Sequence, residues 1–284
     1  GSSGHEGMAA VAAALRPTDM AFLHYRDGAF QTMRSTQVAD VDPIRDMLLS
    51  FATSTADPIS GGRHKVLGSH ALNIPPQTST IASHLPKAVG AAYSIGLARR
   101  RTPEHKVLED DGIIMCSFGD ASSNHSTAQG AINSACWAAY QSTPLPLMFV
   151  CEDNGIGIST RTPKGWIAEN FNSKPGLKYI HANGLDLYDT YRAAKEAATY
   201  ARTHKKPVFL HLTLVRLYGH AGSDLQQAYL PKTTFEQWEA DDPLLHSARL
   251  LDQSGALAPQ EALKISTDTA AKCQAMAQEI GALP

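Results

Sequence analysis

Two short stretches hold the residues best suited to chemistry. Gly119-Asp120-Ala121-Ser122-Ser123-Asn124 follows an apolar run over 113–118, and Glu152-Asp153-Asn154-Gly155-Ile156-Gly157 follows another over 145–151. Each offers carboxylate or amide oxygens flanked by glycine or other small residues. Hard oxygen donors gathered this way suit Mg²⁺, which keeps octahedral oxygen coordination and usually borrows some ligands from a substrate phosphate. A helix beginning near Asn124 would aim its N-terminus at the same place and favour an anion there. The plainer reading is that Asp120 caps that helix and Asn154 turns a corner, both common uses of these residue types.

Chemistry at these stretches requires strands that bring them to one edge. The runs over 113–118, 145–151 and 207–215 are continuously apolar, and alanine-rich helical patterns over 124–140 and 188–204 separate them. Strands without alternation are covered on both faces, which predicts an α/β fold with a doubly wound parallel sheet. Such sheets bind ligands beyond the carboxyl ends of their strands, where the two stretches lie. An alanine-rich helix over 8–15 opens the chain and stops at Arg16-Pro17. From Thr233 onward the pattern is consecutive helices: Thr233-Thr234-Phe235-Glu236 matches a capping box, and Asp242-Pro243 an N-cap with its N1 proline. Ser254-Gly255 stops that helix, and Pro259 starts the last, reaching Ile280. The expected division is an α/β domain over 1–232 and a helical tail over 233–284, packed on the domain or on a partner.

Composition narrows the function classes. Among 284 residues, 25 Lys and Arg against 27 Asp and Glu leave a formal net charge of −2, so no global field recruits a nucleic acid. No apolar run approaches the roughly 18 residues of a membrane span. Cys116, Cys136, Cys151 and Cys273 form no Cys-x-x-Cys pair, which fits a reducing compartment better than a zinc site or a disulfide scaffold. No Gly-x-Gly-x-x-Gly follows a strand, against a nicotinamide-dependent enzyme. No secretory or transit pattern opens the chain, and Gly1-Ser2-Ser3-Gly4 fits a cloning remnant and a native loop equally. An opening in mid-fold suggests a piece of something longer.

The motifs then become specific. Gly119-Asp120 followed by Asp153-Asn154 resembles the thiamine diphosphate signature, Gly-Asp-Gly and then Asn-Asn. The surrounding sequence resembles the α subunit of the decarboxylating component of 2-oxo acid dehydrogenase complexes, the pyruvate and branched-chain enzymes. His5-Glu6-Gly7 sits at that family's Gly-Gln-Glu-Ala or Gly-Glu-Glu-Gly element, and Tyr25-Arg26-Asp27 matches its Tyr-Arg pair. Leu85-Pro86-Lys87-Ala88-Val89-Gly90 matches the helix after its pyrimidine-binding loop. Arg216-Leu217-Tyr218-Gly219-His220-Ala221-Gly222-Ser223-Asp224 matches its Arg-x-x-Gly-His-Ser-x-Ser-Asp loop. Trp238 to Asp242-Pro243 resembles the approach to its last helices, so the likeness covers nearly the whole chain.

The resemblance implies thiamine diphosphate and Mg²⁺ as cofactors. Asp120, the side chain of Asn154 and the main-chain oxygen of Ile156 would hold the metal. Tyr25 and Arg26 would hold the diphosphate, with Gly119, Ala121 and Ser122 lining the cofactor beside Asp120. The backbone around Ser79 and Ile81 would meet the aminopyrimidine. His220 would lie on the reactive side as the catalytic residue, touching a phosphate or assisting acyl transfer. The implied activity is decarboxylation of a 2-oxo acid, branched-chain or pyruvate-like, with transfer of the acyl group to the lipoyl domain of an acyltransferase component. The glutamate that acts on the aminopyrimidine belongs to the family's β subunit or β half, and neither Glu152 nor Glu109 matches it by motif. A β partner in an α₂β₂-like assembly is therefore implied, or a fused α–β parent. The expected location is the cytoplasm of a bacterium or the mitochondrial matrix of a eukaryote.

Several positions depart from the family pattern. Ala121 replaces a glycine, tolerable where the backbone keeps φ negative. The first Asn of the pair is Asp153, which leaves the ligand position intact. The Asp120–Asn154 interval is longer than usual, with the excess near 140–144, where insertions are cheap. Ala221 stands where animal homologues carry a phosphorylated serine, so that control is chemically excluded. The basic loop over 61–70, with Arg63, His64, Lys65 and His70, could meet a substrate carboxylate or simply be a flexible polar loop. Competing functions are acetoin cleavage or another thiamine diphosphate reaction, and a non-catalytic assembly subunit whose motif has degenerated, for which Ala121 is the best support.

Overall fold

The computed structural model of the chain describes residues 1–101, 104 and 106–283. Five parallel strands, β1 (Met20–Phe22), β2 (Ile114–Gly119), β3 (Leu147–Asp153), β4 (Lys178–Asn183) and β5 (Val208–Thr213), pair in the order β1-β2-β3-β5-β4. The register sets Gly119 of β2 opposite Glu152 of β3, and Glu152 opposite Leu212 of β5. The strand ends that carry the two polar stretches are therefore adjacent.

Alternate residues of each strand feed two cores, one on each face of the sheet. Met115, Met148, Val150, Val208 and Leu210 pack with α1 (Gly7–Ala14), α2 (Gly28–Ser35) and α7 (Leu187–His204). Ile114, Cys116, Phe118, Phe149 and Phe209 pack with α4 (His84–Arg101), α5 (Ser126–Tyr140) and α6 (Trp166–Phe171). The expected doubly wound α/β sheet is present, and burial on both faces accounts for the unbroken apolar runs. The edge strand β4 reads poorly in sequence because Lys178, His181 and Asn183 interrupt it at exposed positions.

Two local expectations are corrected. The helix after β2 begins close to the expected Asn124, but a 3₁₀ turn over Asp120–Asn124 leads into it, and α5 starts at Ser126 with the His125 ring accepting from the Thr127 N–H at 3.1 Å. Asp120 thus opens the 3₁₀ turn without capping α5. The capping box at Thr233 does not form, because α8 (Lys232–Ala240) starts earlier, behind Pro231, without a side-chain cap. The sequence pattern does hold at α9 (Pro243–Gln253), where Asp242 accepts from the Leu244 N–H at 2.8 Å. Along α10 (Pro259–Gly281) only Ile280 is buried, where the helix returns to α3 (Pro43–Phe51). No helix among the described residues is long and apolar enough to cross a membrane.

Phe209 centres the aromatic part of the second core, stacked on Phe171 at 4.3 Å and edge-on to Phe118 at 5.9 Å between ring centroids. Phe209→Ala should cost about 3–5 kcal/mol, through lost burial and the cavity left behind. Urea unfolding that moved by less than about 1 kcal/mol would contradict this packing.

Candidate active site

The turn leaving β1, from Leu23 to Asp27, lies over the carboxyl ends of β2 and β3. The His24 N–H donates to Ser117 Oγ at 2.9 Å and to Asp27 Oδ2 at 3.0 Å, while the Ser117 hydroxyl donates to the same Asp27 oxygen. Glu152 is fully buried. Its carboxylate accepts from His5 Nδ1 at 2.5 Å and from His24 Nδ1 at 3.2 Å. Burial opposes its charge, but the facing imidazoles of His24 and His5, with their hydrogen bonds, hold Glu152 well below the usual carboxylate range. Asp27 is pushed the other way by burial and by the charge on Glu152, so it stays a neutral acid beside an ionised one.

The oxygen donors converge next to this cluster. Asp120 is buried; its carboxylate accepts from the Thr162 hydroxyl and, among the described residues, forms no ion pair with a basic side chain. Burial first, and the charge of Asp153 second, push Asp120 up to about 6. Asn154 presents Oδ1 to the Ile156 N–H at 3.2 Å and Nδ2 to His5 Nε2 at 3.0 Å. A tight antiparallel turn holds Ile156 beside them, with Gly157 donating to the Thr160 carbonyl and Thr162 to the Gly155 carbonyl, both at 2.9 Å. Among the described residues no N–H or O–H donates to the Ile156 carbonyl. One carboxylate, one amide oxygen and one carbonyl form a hard, under-charged donor set. It fits Mg²⁺ that takes further oxygens from a diphosphate. No group of three His, Cys, Asp or Glu among the described residues offers an alternative metal site. Ala121 does not have positive φ, and its methyl faces Gly157, where an added Cβ would approach it to 3.1 Å. The alanine is thus accommodated by the glycine across from it.

The opposite side of the site is cationic. Arg26 is buried, donates to the Gly1 carbonyl at 2.5 Å and to His220 Nδ1 at 3.4 Å, and lies 5.2 Å from the centre of the Tyr25 ring, with no carboxylate partner among the described residues. A buried guanidinium without a counter-ion is a poor structural choice and a good anion receptor. The Tyr25 ring lies between His24, at 4.0 Å, and His220, at 5.8 Å. Burial and the neighbouring Arg26 and Arg216 keep His220 below its usual range, hence neutral. Its backbone N–H donates to Asp224 at 2.6 Å. The buried Arg216 donates to the Gly157 and Ile158 carbonyls at 2.7 and 2.9 Å and to the Tyr229 hydroxyl at 2.9 Å, fastening the turn after β3 to the His220 loop.

Asp120, Asn154, Ile156, Gly119, Ala121 and Ser122 therefore gather at the ends of β2 and β3, and Tyr25, Arg26 and His220 gather beside the β1 turn. Ser79 and Ile81 lie before α4; the Ser79 hydroxyl contacts His64, and Ile81 is half exposed. The loop over 61–70 divides. Lys65, partly buried and lowered by that burial, sits over the Phe51 ring at 4.7 Å. His70 and Ser69 instead line a cleft of about 430 Å³ beside Met20, the first residue of β1. His24, Asp27 and Ser117 complete the buried cluster, and sequence reasoning missed them. Only the position of His24 directly before Tyr25-Arg26 hinted at one of them.

A family model described as "Dehydrogenase E1 component" matches residues 1–283. The chain belongs to the dehydrogenase E1 component family. Among similar proteins, the mitochondrial 2-oxoisovalerate dehydrogenase subunit alpha of Caenorhabditis elegans is 27% identical over 261 residues, 89% of this chain and 56% of that protein. The 2-oxoisovalerate dehydrogenase subunit alpha of Bacillus subtilis is 29% identical over 221 residues, 76% of this chain and 62% of that protein. The mitochondrial counterpart from Mus musculus is 27% identical over 235 residues, with 81% and 48% coverage. This E1-family chain thus spans about half the length of the curated relatives it matches.

Asp120 generates a test of the site's electrostatics in the E1-family chain before any cation binds. A carboxyl raised from 3.8 to about 6 on folding contributes stability below its unfolded value and loses it as pH rises through its folded one. Asp120→Asn removes that loss. Its stability relative to the unmodified chain should therefore grow between pH 4 and pH 7.5, by up to about 3 kcal/mol. Urea unfolding in EDTA at both pH values measures the difference, and a pH-independent offset would refute the assignment.

Proposed function

We propose that this chain is the α part of a 2-oxo acid dehydrogenase E1 component, with residues 1–232 carrying the cofactor and 233–284 a helical tail. The observation that carries the proposal is an oxygen-only donor set, Asp120, Asn154 and Ile156, together with the buried Arg26 beside the β1 turn, which has no carboxylate partner among the described residues. These two halves match the two ends of a metal-bound diphosphate. Asp120, Asn154 Oδ1 and the Ile156 carbonyl would hold Mg²⁺; Arg26 and Tyr25 would hold the diphosphate; Gly119, Ala121 and Ser122 would line it. The backbone at Ser79 and Ile81 would meet the aminopyrimidine.

Bound thiamine diphosphate supplies the electron sink that a 2-oxo acid needs in order to lose carbon dioxide. The chain's own residues bind, brace and orient. Arg216 locks the turn bearing Ile156 to the loop bearing His220, so that metal side and acyl side keep one geometry. Neutral His220, half-buried beside Arg26, can donate or accept a hydrogen bond toward substrate without adding charge. Glu152 is committed to two imidazoles, which supports a catalytic glutamate supplied by a β partner. The relatives' printed names favour a branched-chain 2-oxo acid such as 2-oxoisovalerate, with acyl transfer to a lipoyl domain in an α₂β₂-like assembly. The bacterial and mitochondrial relatives support a bacterial cytoplasm or a mitochondrial matrix as its location.

Calorimetry of the assembled protein should show thiamine diphosphate binding that EDTA abolishes. Arg26→Met should weaken thiamine diphosphate at least about ten-fold while leaving thiamine itself nearly unaffected, since only the diphosphate uses the guanidinium. Equal weakening of both would refute the diphosphate role. A dye-acceptor assay should favour 2-oxoisovalerate over pyruvate and acetoin; a preference for acetoin would overturn the substrate.

A further inference from the structure

Asn154 can serve a cation only if its amide is turned one way. The two ends of a side-chain amide differ in sign, and a rotation by half a turn would aim an N–H pair at the metal position. The orientation is set from outside the donor set. On one side the Ile156 N–H, 3.2 Å away, requires an acceptor and so takes Oδ1. On the other side His5 Nε2 lies 3.0 Å from Nδ2.

That imidazole is itself constrained. His5 Nδ1 faces Glu152 Oε2 at 2.5 Å, and Glu152 also accepts from His24 through its second oxygen. A carboxylate only accepts, so the His5 proton resides on Nδ1 and Nε2 is left a bare acceptor. With Oδ1 taken by the Ile156 N–H, the amide nitrogen of Asn154 is what faces Nε2, and two donors cannot meet at 3.0 Å, so Nε2 accepts. A bare Nε2 takes the N–H end of Asn154 and rejects its oxygen. The geometry points to His5 as a positioning residue, with Glu152 behind it, that fixes the Asn154 amide so that its oxygen faces the metal. The inference rests on the Mg²⁺ role proposed for Asn154 and adds the cause of its orientation. The elements involved are remote in sequence: His5 precedes α1, while Glu152 and Asn154 lie at the end of β3.

The test is Mn²⁺ binding, read by electron paramagnetic resonance on the full-length assembled protein in the presence of thiamine diphosphate. His5→Met, which removes both the donor and the acceptor, should weaken Mn²⁺ about ten-fold or more, the usual cost of losing a partner behind a ligand. His5→Gln can donate to Glu152 through its amide nitrogen and accept from Asn154 through its oxygen, so it should stay within about three-fold of the unmodified protein. The double variant His5→Met/Glu152→Gln avoids a stranded buried charge and should show the same loss as His5→Met. Thermal melting of each variant separates weakened metal binding from unfolding. Unchanged Mn²⁺ affinity in the double variant, or a folded His5→Gln as weak as His5→Met, would overturn the inference while leaving the cofactor reading intact. Failure of the unmodified protein to bind Mn²⁺ with thiamine diphosphate would overturn both.

Discussion

The buried carboxylate of Glu152 is the constraint on which the rest of the site depends. It lies in the middle of the sheet, opposite Gly119 on one side and Leu212 on the other, where no water reaches it. An unpaired charge there would be prohibitive, and removing one partner of such a pair typically costs about 3–5 kcal/mol. The partners come from two separate segments, His5 before α1 and His24 after β1. Satisfying one charge thus pins the chain's first loop and the β1 turn to the end of β3. The turn that presents Tyr25 and Arg26 is held by the same bonds.

Around that anchor the acidic groups are made unequal. Asp27 and Glu152 are too close and too buried for both to ionise, so the group with two imidazole donors keeps the charge and the other keeps its proton. Asp120 pairs with no basic side chain among the described residues and is raised to about 6 by burial and by Asp153. The result is one anion held by two imidazole donors inside the structure, one neutral acid that braces His24 and Ser117, and one carboxylate without a cationic partner among the described residues. On the other side Arg26 lacks an anion.

The departures from the family's signature become small in this light. Ala121 costs little because its backbone lies in a 3₁₀ turn without positive φ and Gly157 leaves space for its methyl. Asp153 in place of the first Asn of the pair is used structurally: one oxygen accepts the Gly155 N–H at 3.0 Å and the other accepts from His211 at 2.8 Å. It shapes the turn after β3 from the side opposite His5.

The amino-acid sequence by itself determined the sheet class, because unbroken apolar runs such as 145–151 occur only where both faces of a strand are covered. It also determined the donor types at the two strand ends, and the Tyr25-Arg26 and Gly219-His220 pairs, because local motif and spacing carry that information. It did not reveal β4, whose edge position admits lysine, histidine and asparagine, or the 3₁₀ turn that Asp120 opens. It also left Glu152 unassigned beside Asp153 and Asn154, three polar residues in a row with no visible division of labour. Only the tertiary structure decided that division. Burial in the centre of the sheet, and the arrival of His5 and His24 from remote segments, turned Glu152 inward as an anchor and set the Asn154 amide between His5 and the Ile156 N–H.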